Sequence, residues 1–166
     1  VLATLLASSE PETRAAAAAA LGRIGKDAAA TSSELTKLLG DDDPQVRAAA
    51  AEALGKIGSS AAPGLVASLN GGNPVFLQAA VDALAKIGEP AVPALIKTLE
   101  DDRQAVLARQ HAARALARIG NGKAKVLPAL LKRLKDENPL IRIAAIEALG
   151  NLGQGVASAA GKLIEV

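Results

Sequence analysis

The sequence predicts an all-α solenoid of about five helix pairs followed by one extra C-terminal helix, and three observations predict it. The first is a repeat. The stretch Asp41 to Gly58, DDDPQVRAAAAEALGKIG, returns in four further versions ending at Ile24-Gly25, Ile87-Gly88, Ile119-Gly120 and Leu152-Gly153. Counting Ile57, successive end-points fall 33, 30, 32 and 33 residues apart, the period of stacked supersecondary units rather than of one closed core. The second observation is punctuation. Asp43-Pro44, Asn73-Pro74 and Asn138-Pro139 place a capping side chain before a proline at the first helical position, where the missing N–H is not needed. Gly25, Gly58, Gly88, Gly120 or Gly153 follows about four turns later, suited to the left-handed residue that closes a helix. The third is periodicity: Val46, Ala50, Ala53, Leu54 and Ile57 repeat at helical spacing.

Taken in order, the chain reads as one domain of units 1–25, 26–58, 59–88, 89–120 and 121–153, with a partial unit 154–166. Each unit opens on a shorter apolar helix, expected at Leu2–Ala7, Ser33–Leu39, Ala61–Leu69, Val92–Leu99 and Val126–Lys135. Pro93 and Pro128 are expected in first turns, which tolerate proline. The fourth copy has two extra residues before its helix and Val106 where proline would stand, which predicts a helix that starts early with Asp101 or Asp102 as its cap. Val156–Val166 reads as a sixth first helix without a second. Val1 and Val166 fall inside helices, so the chain reads as a piece of a longer array or as one with an end covered by a partner.

Composition narrows the function. Half of the residues are hydrophobic, yet Phe76 is the sole aromatic, so Ala and Leu do nearly all the packing and helices must approach closely. The absence of Cys excludes disulfides, thiolate catalysis and Cys-ligated metals, and a cytoplasmic setting is expected. The Ala-rich run Arg14 to Leu21 is too short to cross a bilayer, and no membrane partner is expected. Net charge is +2, but residues 1–90 carry 7 basic and 10 acidic groups while 91–166 carry 12 and 7. That asymmetry can orient a partner. It is too weak for a nucleic-acid binder, which would also need aromatics for stacking.

The pattern Asp-x-x-Pro-x-Val-Arg-x-x-Ala-Ala-x-Ala-Leu-Gly-x-Ile-Gly resembles the HEAT-like repeats of the phycobilin-lyase type, over essentially the whole chain. The copies containing Asp41/Pro44/Arg47/Leu54/Gly55/Ile57 and Asp136/Pro139/Arg142/Leu149/Gly150/Leu152 match best, whereas the third has Gly71 and Leu77 in place of Asp and Arg. The resemblance implies a right-handed superhelix whose second helices line a concave face, and a structural Asp–Arg ladder at Arg14, Arg47, Arg109 and Arg142. Two, five, six and nine residues before each repeat Leu, and two after it, lies the outward stripe. In the first two units it is Ala with scattered charge. From the third unit on it gathers Val75, Leu107, Leu140 and Ile143 among Gln78, Gln110, His111, Arg114, Arg118 and Glu147, which suggests a protein-binding groove.

No catalytic residue, cofactor or metal is expected. His111, the single histidine, lacks second and third ligands and an orienting carboxylate, and reads as a contact or surface residue. Gly22, Gly55 and Gly150, inside helices, read as sites of close helix approach, and Gly71-Gly72 as a plain turn. The function expected is therefore a non-catalytic scaffold or adaptor that binds a protein in its groove. By resemblance, the alternative is a subunit of a bilin lyase or isomerase, with Arg114, Arg118 or His111 near the propionates of a bilin. Missing Cys, Tyr and Trp speak against it. A designed repeat binder is a further alternative, opposed by copy-to-copy irregularity. A di-iron hydroxylase of this fold would need His-Glu pairs, and an alkylbase glycosylase would need aromatics; neither is present.

Overall fold

The computed structural model describes residues 1–120 and 123–153 of the chain. Its α-helices are α1 (Leu2–Leu5), α2 (Pro11–Ile24), α3 (Ser32–Lys37), α4 (Pro44–Ile57), α5 (Ala62–Ser68), α6 (Pro74–Ile87), α7 (Val92–Glu100), α8 (Val106–Ile119), α9 (Lys123–Arg133) and α10 (Pro139–Asn151). They pair as short first and longer second helices and stack as an α-solenoid. The second helices α2, α4, α6, α8 and α10 pack in series, each on the next. Val156–Val166, expected to form the sixth first helix, lies outside the described residues.

The expected caps explain where the second helices begin. Asp43 Oδ1 accepts from the backbone N–H of Gln45 (2.7 Å) and Val46 (3.2 Å), Asn73 Oδ1 from Phe76 (2.7 Å), and Asn138 Oδ1 from Leu140 (2.9 Å). The closing glycines Gly25, Gly58 and Gly88 have φ of 70° to 80° with ψ near −135° to −141°, a region open to glycine alone. They turn the chain directly into 3-10 segments that lead to the next first helix.

Two expectations fail locally. α8 does not start early: it begins at Val106, with Ala105 before it and no side-chain cap. The two extra residues form a turn instead, because Asp101 is committed elsewhere. Its carboxylate accepts from the Arg103 N–H (3.1 Å) and Nε (2.9 Å) and from Gln104 Nε2 (3.4 Å). The Arg103 guanidinium, with that N–H, holds the Asp101 carboxyl down at about 2. Pro128 is also not in a first turn. α9 starts at Lys123, so Pro128 sits inside it and removes one backbone hydrogen bond.

Leucines of the first helices and the repeat leucines Leu54, Leu84 and Leu116 form the fully buried spine, with small alanines between them. Close approach follows from this composition. A Cβ on Gly22 would lie 2.9 Å from Cα of Ala53, and one on Gly55 would lie 2.7 Å from Cβ of Lys86. Gly150 differs, with nothing among the described residues within 4 Å of such a carbon.

The Asp–Arg ladder exists, but its carboxylate rungs join neighbouring pairs, whereas contacts within one pair go to backbone carbonyls. Arg14 donates through Nε and a terminal nitrogen to both oxygens of Asp41, each at 2.8 Å. Arg109 likewise reaches Asp136 in the turn before α10. Arg14 also donates to the carbonyls of Ser8 and Ser9 in its own turn, and Arg47 and Arg142 make only contacts of that kind: to Asp41 and Asp42 for Arg47, to Asp136 and Glu137 for Arg142.

Candidate functional site

The second helices carry the residues singled out in the sequence. Val75, Leu107, Leu140 and Ile143 are between 39% and 51% exposed, although each is a large apolar side chain. All four therefore stand on the outer face of α6, α8 and α10 rather than between helices. Gln78, Arg114, Arg118 and Glu147 are exposed beside them, and Gln110 is half-buried. Ile146, also exposed, was not anticipated in this row.

His111 is a correction. It is not a surface residue but is buried to 9% exposure, and its Nδ1 has no hydrogen-bond partner. α8 is packed by α6, α7 and α10, and fewer of its residues are exposed than on the earlier second helices. The position five before the repeat Leu is thus buried at His111 and Ala144, half-buried at Ala49 and Ala79, and exposed only at Ala16. Burial, aided by the Arg114 charge, lowers the His111 pKa.

Charges on this face are largely committed to each other. Lys86 Nζ reaches Glu52 Oε2 at 2.6 Å from α6 to α4, and Arg118 pairs with Asp82 from α8 to α6. Hydrogen bonding from Lys86 lowers the Glu52 pKa. Gln78 donates to Asp82 (3.2 Å) on its own helix. Arg118 therefore braces adjacent helices, leaving Arg114 as the exposed cation of α8 without an ion pair among the described residues.

A groove of about 450 Å³ opens between α4 and α6, lined by Pro44, Arg47, Ala48, Ala51, Pro74, Val75, Gln78, Ala79 and Asp82. Val75 and Gln78 were expected there; Arg47 was not. Among the described residues its hydrogen bonds come from one terminal nitrogen and go only to carbonyls of Asp41 and Asp42. The next turn offers Gly71 where Arg14 finds Asp41, so the other guanidinium donors of Arg47 remain available at the groove. The signal was present in the sequence as the loss of one acid in the third copy.

Elsewhere, Arg109, Arg133, Asp102 and Asp136 form a compact ion-pair cluster between α8 and the turn before α10. Burial works to raise the Asp136 carboxyl, but the Asn138 N–H and the guanidinium of Arg109, helped by Arg133, hold it below its ordinary value. Among the described residues no three His, Asp or Glu side chains gather as a metal centre, and no helix is long and apolar enough to cross a membrane.

No curated protein sequence matches the chain. Among solved structures it is similar to an engineered protein, at 25% identity and a TM-score of 0.43, covering 96% of this chain and 84% of that one. It is also similar to human deoxyhypusine hydroxylase (22% identity, TM-score 0.50), covering 91% of this chain and 72% of the other. A third similar structure is the complex of CpcE and CpcF of phycocyanin lyase from Nostoc sp. PCC7120, at 28% identity and a TM-score of 0.46, covering 92% of this chain and 64% of that one. The family model for HEAT repeats matches residues 1–85, 32–110, 62–125 and 92–166 in overlapping runs. With recurrent helix pairs, capped second helices and stacked packing in place, the chain belongs to the HEAT-repeat family.

Proposed function

We propose that the chain is a non-catalytic scaffold that captures a protein partner on the exposed face of α4 to α10. The observation that carries this reading is the row Val75, Leu107, Leu140 and Ile143, large apolar side chains left in solvent on three successive second helices. Exposed apolar groups aligned on a rigid frame and rimmed by polar ones favour association, because little ordering entropy is lost on binding. Gln78, Gln110, Arg114 and Glu147 supply the rim, and Arg47 adds donors matched to a carboxylate in the α4–α6 groove. Arg118 contributes by holding α8 to α6, and His111 by packing beneath the strip, not by contact. The reading is non-catalytic because Glu52, Lys86, Asp82 and Arg118 on this face pair with one another, and its most prominent exposed feature is an apolar row.

The test is affinity capture with wild-type chain and with the Leu107→Asp/Ile143→Asp double variant. Both sites are exposed, so helicity and melting cooperativity should be unchanged while the partner is lost. A partner retained equally by both proteins would reject the face as the binding surface.

A further inference from the structure

The joint between the fourth and fifth pairs departs from the ladder that it continues. At the first joint one base meets one acid, Arg14 closing on both oxygens of Asp41, each at 2.8 Å. At the later joint a single oxygen, Asp136 Oδ2, accepts from both Arg109 and Arg133, the latter at 3.0 Å, while Oδ1 accepts from the Asn138 N–H. Arg133 stands one residue before the last leucine of its first helix, a place held by Leu5, Leu38, Ser68 and Thr98 in the four units before it. The second base thus stands where no earlier copy has a charge.

Both guanidinium side chains are buried, Arg109 at 4% and Arg133 at 7% residue exposure, yet Asp136 is the one carboxylate buried with them. The other counter-charge, Asp102, reaches Arg109 at 2.9 Å and Arg133 at 3.1 Å with a side chain 76% exposed on the turn before α8. Arg133 Nε is buried without a hydrogen-bond partner. Nη2 of Arg133 and Nη1 of Arg109 make no hydrogen bond among the described residues. A buried donor left open is costly unless something fills it.

These side chains line a crevice of about 520 Å³, with Lys132 and Lys135 at its exposed rim. Its bases are Arg109, Lys132, Arg133 and Lys135, and its acids are Asp102, Asp136 and Glu137. Lys132 also meets Glu100, which does not line the crevice, at 3.6 Å. When Asp102 turns to solvent, the lining keeps four bases against two acids, an excess that one dianion neutralises. A carboxylate would only exchange like for like with Asp102. A phosphate group brings about two negative charges and three acceptor oxygens, which suit the unused guanidinium donors.

We propose that this crevice binds a phosphate group, which takes the place of the Asp102 carboxylate between Arg109 and Arg133. Asp102 is then a resident stand-in that neutralises the buried bases until the ligand arrives. The site uses none of the apolar row and is independent of the groove proposed above.

Isothermal titration calorimetry of the full chain tests it, with sodium chloride holding ionic strength constant. One arm uses inorganic phosphate and the other a Gly-phosphoserine-Gly peptide. Saturable binding is expected, to the free ion when the source is a small phosphate and more tightly to the peptide when it is a phosphorylated chain. Asp102→Asn should tighten that binding by roughly fivefold, the scale of one exposed ion pair removed from competition. Arg133→Leu, the side chain that the second unit carries at Leu38, should abolish it, and Leu107→Asp should leave it unchanged. No saturable heat from either probe, binding kept by Arg133→Leu, or binding unchanged or weakened in Asp102→Asn would each overturn the proposal. Circular dichroism shows whether each variant is folded, and the exposed Asp102 keeps the test open should Arg133→Leu not fold.

Discussion

Three helical glycines share one place in the repeat, yet the same substitution should stabilise the chain at only one of them. Gly22, Gly55 and Gly150 each follow the repeat Leu, near the end of α2, α4 and α10. Replacing an interior helical glycine by alanine favours the helix by about 1 kcal/mol through reduced backbone entropy in the unfolded chain. At Gly150 no contact among the described residues opposes that gain, since none of their atoms lies within 4 Å of the added carbon. At Gly22 the methyl would stand 2.9 Å from Cα of Ala53, a backbone atom that can retreat only if α4 moves away from α2. Forcing a methyl into a packed contact costs about 1–3 kcal/mol, so Gly22→Ala should be neutral to about 2 kcal/mol destabilising. Comparing the two positions cancels most of the propensity difference and leaves the contact cost. Urea unfolding followed by circular dichroism should move the midpoint up for Gly150→Ala. For Gly22→Ala it should stay level or move down, with Gly55→Ala, 2.7 Å from Lys86 Cβ, behaving like Gly22→Ala. Equal shifts at Gly22 and Gly150 would refute the claim that backbone proximity between second helices sets the sign.

Other outcomes follow from the buried charges. Asp136→Asn should cost about 3 kcal/mol in denaturant unfolding, because it leaves Arg109 and Arg133, both at most 9% exposed at the side chain, short of a buried counter-charge. Asp41 and Asp136 both titrate below the ordinary 3.8 in the folded chain. Their stabilisation is complete above that value and is lost as pH falls from it through the folded values, so an acid titration of the unfolding midpoint should steepen below pH 3.8 and flatten in Asp136→Asn. His111 titrates below its ordinary 6.5, so the unfolded chain takes up its proton first and stability should decline as pH falls from 6.5 through the folded value. His111→Leu should abolish that decline, an outcome read from melting curves at pH 7 and pH 5.

The fold was legible because a repeat states each physical requirement several times. Asp43, Asn73 and Asn138 cap their helices as their sequence neighbours demand, and the positive-φ glycines stand at the ends of the second helices. Local chemistry is visible in sequence. What was not legible depends on two elements at once. His111 has the spacing of an outward residue, but its burial is set by α6, α7 and α10 closing around α8, which no residue near His111 announces. Asp101 has the composition of a helix cap, yet Arg103 and Gln104 claim its carboxylate first. The ladder was visible as a list of Asp and Arg, but not the fact that Arg14 reaches the next turn as well as its own while Arg47 reaches only its own.

The joint between α4 and α6 shows how one lost acid changes both packing and the surface. Asp41 and Asp136 stand thirteen residues before their repeat Leu, and Gly71 holds that place in the third copy. Leu77, buried, replaces the recurrent Arg, and Phe76 lies against the turns: a Cβ on Gly72, whose φ is 120°, would be 2.7 Å from its ring, and one on Gly40 would be 3.4 Å away. Gly71-Gly72 is thus more than a turn, since Gly72 makes room for the ring that covers it. An apolar contact has taken over where an ion pair bridges the neighbouring joint, and Arg47 is left with spare donors beside the groove. Gly71→Asp should give Arg47 the carboxylate that Arg14 finds in Asp41. Gly71 has open space around it and lacks the positive φ of Gly72, so the side chain fits without strain. A partly exposed pair of this kind is worth about 0.5–1 kcal/mol, enough to raise the unfolding midpoint measurably. A double-mutant cycle with Arg47→Ala isolates the pair, and a coupling energy of zero would refute the equivalence of the two joints. If the coupling is present and Gly71→Asp also weakens partner capture, the spare donors of Arg47 are part of what the partner recognises.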